Sequence, residues 1–279
     1  IDPIIVPGGD IGKLSICGTV NDLAAAGATP LALTTAFVLE EGLDIATLER
    51  IVASMAATAR HAGVPIVAGD TKVVPRGSAD KLFITTTGIG VLPTGVSLPA
   101  PDRASVGDVV IVSGTLADHG MAIMTVREGL AFTSEIHSDC APLAGLVAAL
   151  LDVAPNVHCL RDPTRGGLAA VLNELATQSG VCIEIDDASI PVHPDVRVAC
   201  ELLGIDPLHV ANEGKMVIIV PAEEADAALA ALHAHPFGKD AVRIGRVQEG
   251  HAGRVHLRTL LGSLRIIDTP AGDLLPRIC

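Results

Sequence analysis

At 279 residues the chain can fill two medium domains or one large one, and with 49% apolar residues it can bury a sizeable core. Four Phe, no Tyr and no Trp leave that core to be packed from Val, Ile, Leu and Ala. The same shortage, with a formal charge of −13, excludes a nucleic-acid partner held by base stacking and charge, whereas the carboxylates are suited to metal ions.

Cys17, Cys140, Cys159, Cys182, Cys200 and Cys279 include no Cys-x-x-Cys pair, so reduced thiols in a cytoplasmic protein are expected. No apolar run is long enough to span a membrane, and no basic-then-apolar leader opens the chain. Ile1–Val6 reads as the end of a strand already inside a domain, so a preceding N-terminal segment is expected to be missing.

Strand-like and helix-like segments alternate, the pattern of an α/β or α+β protein. The spacing predicts a helix over 11–26 and a strand over 31–39. A helix capped by Asp44 and stopped by Gly63 follows. Strands are expected at 64–68 and 81–91. Three prolines between Pro93 and Asp102 mark a boundary, giving domains 1–92 and 108–267 joined by a linker, 93–107. The second domain should hold strands at 108–112, near 160, and at 181–185, 215–220 and 241–247. Its helices are expected at 120–129, 141–152, 167–178, 194–203 and 222–233. A region 254–267 completes it, and 268–279 reads as a mobile tail.

Gly8-Gly9-Asp10-Ile11-Gly12-Lys13-Leu14 mimics a Walker phosphate loop but has three residues between its outer glycines and Leu after the Lys, so a turn before a helix is expected. Asn21-Asp22, two mediocre helix formers inside an apolar helix, point either to a carboxylate on a metal or to a solvated face. Gly69-Asp70-Thr71-Lys72 after a strand suits a ligand beyond the sheet edge, or is a surface turn. Arg161-Asp162-Pro163-Thr164-Arg165-Gly166-Gly167 leads from strand to helix. Its glycines free N–H groups at a helix N-terminus for an anion, its arginines add charge, and Asp162 could hold a bridging Mg²⁺. In Ala211-Asn212-Glu213-Gly214-Lys215, Glu213 could be a general base if buried, or part of a polar turn. Cys279 ends a tail whose last ten residues reach about 33–36 Å when extended.

These motifs together resemble the aminoimidazole-ribonucleotide-synthetase (PurM-like) superfamily. Within it, Pro276-Arg277-Ile278-Cys279, Val6–Leu14, Leu39–Leu43, Gly69–Val74 and Ala211–Lys215 are similar to the HypE family of hydrogenase maturation proteins. The resemblance implies a two-domain fold, with an N-terminal dimerising sheet domain and a C-terminal α/β sandwich. It also implies that a glycine-rich stretch and a nucleotide-site Asp lie before the first residue. The implied activity is ATP-dependent dehydration of a carbamoyl group on Cys279 to a thiocyanate. The carbamoyltransferase HypF supplies that group and a HypC–HypD complex takes the product. By this reading Asp22, Asp70 and Asp162 hold Mg²⁺, and Asn21, Thr71, Thr164, Gly166 and Gly167 join those aspartates in binding ATP. Lys72 stabilises the transferring phosphoryl group, Glu213 is the base, and the protein is a homodimer. The alternatives are a selenophosphate-synthetase-like or thiamine-monophosphate-kinase-like ATP enzyme of the same superfamily, or a non-catalytic nucleotide-binding scaffold.

Overall fold

The computed structural model describes every residue except 96, 131–134, 270, 271, 273, 274 and 279. β1 (Ile5–Val6) and β2 (Gly9–Asp10) form a short antiparallel hairpin. Asp10 caps α1 (Ile11–Ala25), its carboxylate accepting from the Lys13 N–H at 2.9 Å. β3 (Thr29–Glu40) leads to α2 (Ile45–Ala62), which Asp44 caps and Gly63 closes at φ 69°. β4 (Ile66–Val74) and β5 (Leu82–Val91) complete a sheet of order β4-β3-β5.

Alternation along β5 decides which face of this sheet is core. Thr86 Oγ1 donates to Ser15 O of α1, and a side chain at Gly88 would strike Thr19 and Leu23. The other face carries Phe83, Ile89 and Val91, which are 53%, 58% and 55% exposed. Pairing puts Asp70 beside Ala36 and Thr85, and Lys72 beside Val38 and Phe83, so both stand on that open face.

Here the structure differs from the expected loop at Gly69–Lys72. The strand runs on to Val74, because β3 extends beside it and the β-branched Thr71, Val73 and Val74 suit extended backbone.

The second half begins with β6 (Val109–Val112), α3 (Asp118–Arg127), α4 (Ala144–Val153), β7 (Cys159–Arg161) and α5 (Gly167–Ser179). It continues through β8 (Cys182–Asp186), α6 (Pro194–Leu203), β9 (Val217–Val220), α7 (Ala225–Ala234), β10 (Val242–Gln248), β11 (Arg254–Arg258) and β12 (Leu264–Ile267). Seven strands form one sheet of order β12-β11-β8-β10-β6-β9-β7. Val110, Val112, Val217 and Ile219 pack with Leu168, Leu172 and Leu175 of α5. The alternate residues Ile111, Ile218 and Val220 pack with Leu146, Leu150 and Leu232 of α4 and α7. Covered on both faces, the central strands carry the unbroken apolar runs that made them easy to read.

α1 joins the two halves. Its Ile16 and Val20 belong to the first core, while Ala24 lies in the second beside Leu143 and Val147. No helix among the described residues is long and apolar enough to cross a membrane.

Candidate active site

Where α1 meets the second sheet, three loops converge: 137–141, the β7–α5 turn, and 211–215. Asn21, expected to contact a nucleotide, is 1% exposed and fully engaged with backbone. Its Nδ2 donates to Ala141 O at 3.1 Å and Glu213 O at 3.2 Å, and its Oδ1 accepts from Leu143 N–H at 2.7 Å. That side chain is an inter-loop tie.

Glu213 is buried, and burial first, then the nearby Asp139 and Asp162 carboxylates, push its carboxyl well above the ordinary range. Its N–H donates to Asp139 Oδ1 at 3.1 Å, and Asp139 Oδ2 lies 3.1 Å from Lys215 Nζ. Lys215 also faces Asp118 at 3.9 Å. The close passage of loops needs Gly214, where a Cβ would sit 1.9 Å from Asp139 O. Cys17 and Cys140 complete the buried floor, and the contact between the two thiols raises the Cys140 pKa above the usual range.

Asp22 and Asp162 lie on opposite sides of the junction and feel each other. Burial raises both carboxyls, Arg161 partly offsets this at Asp22, and the Asp22 charge raises Asp162 further. The Arg161 guanidinium donates to Glu174 at 2.9 Å, but its buried Nε has no hydrogen-bond partner. Beside it, α5 starts after Gly166 without a side-chain cap, the Gly167 N–H being taken by Thr164 O. Two repelling carboxylates, an orphaned guanidinium N–H and an uncapped helix start are groups of the kind that could hold a polyphosphate with a divalent cation. Gly167 has a further, steric reason to be glycine: φ is 62°, and a Cβ would lie 2.6 Å from Leu208 O and Val210 O. Thr164 is bound into the turn through its backbone, its N–H on Asp162 O and its carbonyl accepting from Gly167.

Asp70, Thr71 and Lys72 are exposed on β4, and Asp70 and Lys72 face away from α1. Among the described residues no three His, Cys, Asp or Glu side chains form a group that could hold a metal, so Asp70 does not join Asp22 and Asp162 within one chain.

Cys279 lies outside the described residues, but the chain just before it is seated. Ile278 is 2% exposed and packs with Val6, Ile123 and Ala211. Arg127 donates to Pro276 O at 3.0 Å and Arg277 O at 3.2 Å, Asp2 N–H donates to Arg277 O at 3.0 Å, and Arg277 pairs with Asp80. Arg277 and Ile278 line a cavity of about 740 Å³ together with Ser15, Ile84 and Arg165. The tail end and Arg165 of the β7–α5 turn therefore face one space.

His119, Ser138 and Asp139 were missed in the sequence. The available signals were Asp118-His119 at a helix start and the polar run Ser138-Asp139-Cys140 ahead of the next helix.

The chain matches the family AIR synthase related protein, N-terminal domain, over residues 1–92, and its C-terminal domain over residues 105–258. Carbamoyl dehydratase HypE of Cupriavidus necator is 56% identical over 279 residues, which cover all of this chain and 79% of that protein. The chain belongs to the HypE family. A HypE crystal structure in complex with ATP superposes with a TM-score of 0.97 at 49% identity, covering 100% of this chain and 84% of that one. HypE in a HypE–HypF complex gives 0.93 at 50% identity, covering 97% and 88%. The mixed helix–sheet fold with two AIR-synthase-type halves is that of HypE.

Proposed function

We propose that this chain is a carbamoyl dehydratase that forms a thiocyanate on its own Cys279. The observation that carries this reading is the shared cavity, in which the residues next to Cys279 meet Arg165 of the β7–α5 turn. In balance, the S-carbamoyl group and ATP give S–C≡N, ADP and phosphate. The carbamoyl oxygen takes the γ-phosphoryl group and leaves within phosphate, and the nitrogen loses two protons.

Asp22 and Asp162 are assigned to Mg²⁺, which would neutralise the phosphates and their own mutual repulsion. Gly166 and Gly167 would let the backbone at the start of α5 approach the phosphates closely, with Arg161 Nε as a donor and Thr164 assigned beside them as a nucleotide contact. Glu213 is assigned as the base. Its buried, anionic surroundings make its carboxylate a stronger base than a solvated one. A closed cleft around the tail would keep water from the phosphorylated intermediate.

The carbamoyl donor is a HypF-type partner, and the product passes to a HypC–HypD-type complex that carries cyanide to the hydrogenase iron. We take residues 1–92 and 108–267 as the two domains. The open sheet face with Phe83, Ile89 and Val91, and the free edge of β4, support a homodimer through the first domain. A second copy on that face would cover Asp70, Thr71 and Lys72. Their proposed roles as metal ligand, nucleotide contact and phosphoryl-stabilising cation belong to that pair; light scattering that finds only monomers rules these roles out.

Mass spectrometry tests the reaction. With the carbamoylating partner and ATP, the carbamoylated C-terminal peptide should lose the mass of water. Thiocyanate still formed by Cys279→Ala would refute the assignment.

A further inference from the structure

His119 takes no part in the chemistry above, yet it touches the last peptide unit before the reactive residue. The ring is 1% exposed at the start of α3. Its Nε2 lies 3.0 Å from Ile278 O, the carbonyl of the peptide bond to Cys279, and its Nδ1 lies 2.8 Å from Ser138 Oγ.

The proton positions follow by elimination. A carbonyl only accepts, so Nε2 must carry the hydrogen. A neutral imidazole has one such hydrogen, which leaves Nδ1 as an acceptor, and Ser138 must then donate its hydroxyl proton to it. Ser138 Oγ is free to do so because it accepts from Cys140 N–H at 3.1 Å. Burial holds the ring neutral by lowering its pKa. The chain Cys140 N–H, Ser138, His119 and Ile278 O therefore runs one way, from the floor of the site to the tail.

We propose that His119, oriented by Ser138, is a positioning residue: a latch that holds the tail by the Ile278 carbonyl for dehydration. This rests on the reading of Cys279 as the carrier. A carrier has to leave the cleft to be loaded and unloaded. Whenever it does, the Nε2–H exchanges the Ile278 carbonyl for water, and the net gain of the intramolecular bond favours the docked tail. Arg127 and Asp2 hold the carbonyls of residues 276 and 277, but His119 alone among these contacts reaches residue 278.

The test is alkylation of Cys279 in the full chain by a bulky maleimide, read by mass spectrometry of the C-terminal peptide. The five other cysteines are buried, so the label is selective. His119→Ala should label about tenfold faster than wild type, the effect of losing one buried hydrogen bond on the undocked population. His119→Gln, which keeps an N–H donor at similar reach, should restore slow labelling. Carbamoylation by the partner, a step of the undocked tail, should not slow in His119→Ala, while loss of water from the loaded tail should slow by the same factor. Unchanged labelling in His119→Ala, or no rescue by Gln, would overturn the latch. Should wild type form no thiocyanate, the functional reading fails, but the labelling comparison still decides whether His119 seats the tail.

Discussion

Asn21 Nδ2 donates to Glu213 O across 3.2 Å, so a helix of the first half fixes the backbone of the assigned base in the second. The same amide holds Ala141 O and Leu143 N–H. Truncation takes this partner from Ala141 O and Leu143 N–H, while Glu213 O keeps the Ala141 N–H at 3.4 Å, and each unmet group costs about 1–3 kcal/mol. With partial relaxation, Asn21→Ala should lower unfolding stability by about 2–4 kcal/mol. Urea denaturation measures this. A change within experimental error would mean the tie contributes nothing.

The Asp22–Asp162 pair gives a prediction of opposite sign for the free protein. Because each carboxyl is raised by burial and the Asp22 charge raises Asp162 further, removing one charge relieves the other. Asp22→Asn and Asp162→Asn should each keep or raise the thermal midpoint without nucleotide. Both should weaken Mg²⁺–ATP binding at least about tenfold, or about 1.4 kcal/mol. Calorimetry showing unchanged affinity in both variants would remove these residues from the metal site.

Much of the fold was legible because the physics was local. Asp44 and Gly63 bracket α2 by cap chemistry that depends on a few neighbouring residues. The runs Val109–Val112 and Val217–Val220 announce strands covered on both sides. The end of β4 was not legible, because a partner strand far along the chain extends it through Gly69–Lys72. The site followed the same division. Motifs flagged Asp22, Asp162 and Glu213, and the structure sets these three in each other's field. The role of Asn21, the seat at His119 and the Asp139–Lys215 pair depend on loops over a hundred, or tens of, residues apart, where no spacing rule operates.

Gly214 is fixed by the same convergence. A methyl group placed 1.9 Å from Asp139 O cannot be accommodated without moving the 137–141 loop, which carries the partners of Asn21, Glu213 and His119. Gly214→Ala should destabilise by more than about 2 kcal/mol, the range of severe buried strain. A fully stable variant by thermal unfolding would show that the loops can separate.

Glu213 links chemistry to pH. Its folded-state pKa is raised well above the ordinary 4.5, chiefly by burial. A group raised in the folded state binds its proton more tightly there than in the unfolded chain. Its contribution is therefore fully present below the ordinary carboxylate pKa and is lost as pH rises through the folded value. Glu213→Gln cannot ionise and loses nothing over that interval. The variant should therefore gain stability relative to wild type as pH rises above the ordinary carboxylate value of 4.5 toward the raised folded value, measured as a widening difference in Tm. Dehydration should move the other way. A base works only when deprotonated, so wild-type turnover should rise with pH across the same interval, and Glu213→Gln should form no thiocyanate at any pH. A Tm difference that stays flat would place the carboxyl in a solvated setting. Thiocyanate formation by Glu213→Gln at the wild-type rate would assign proton removal to another group.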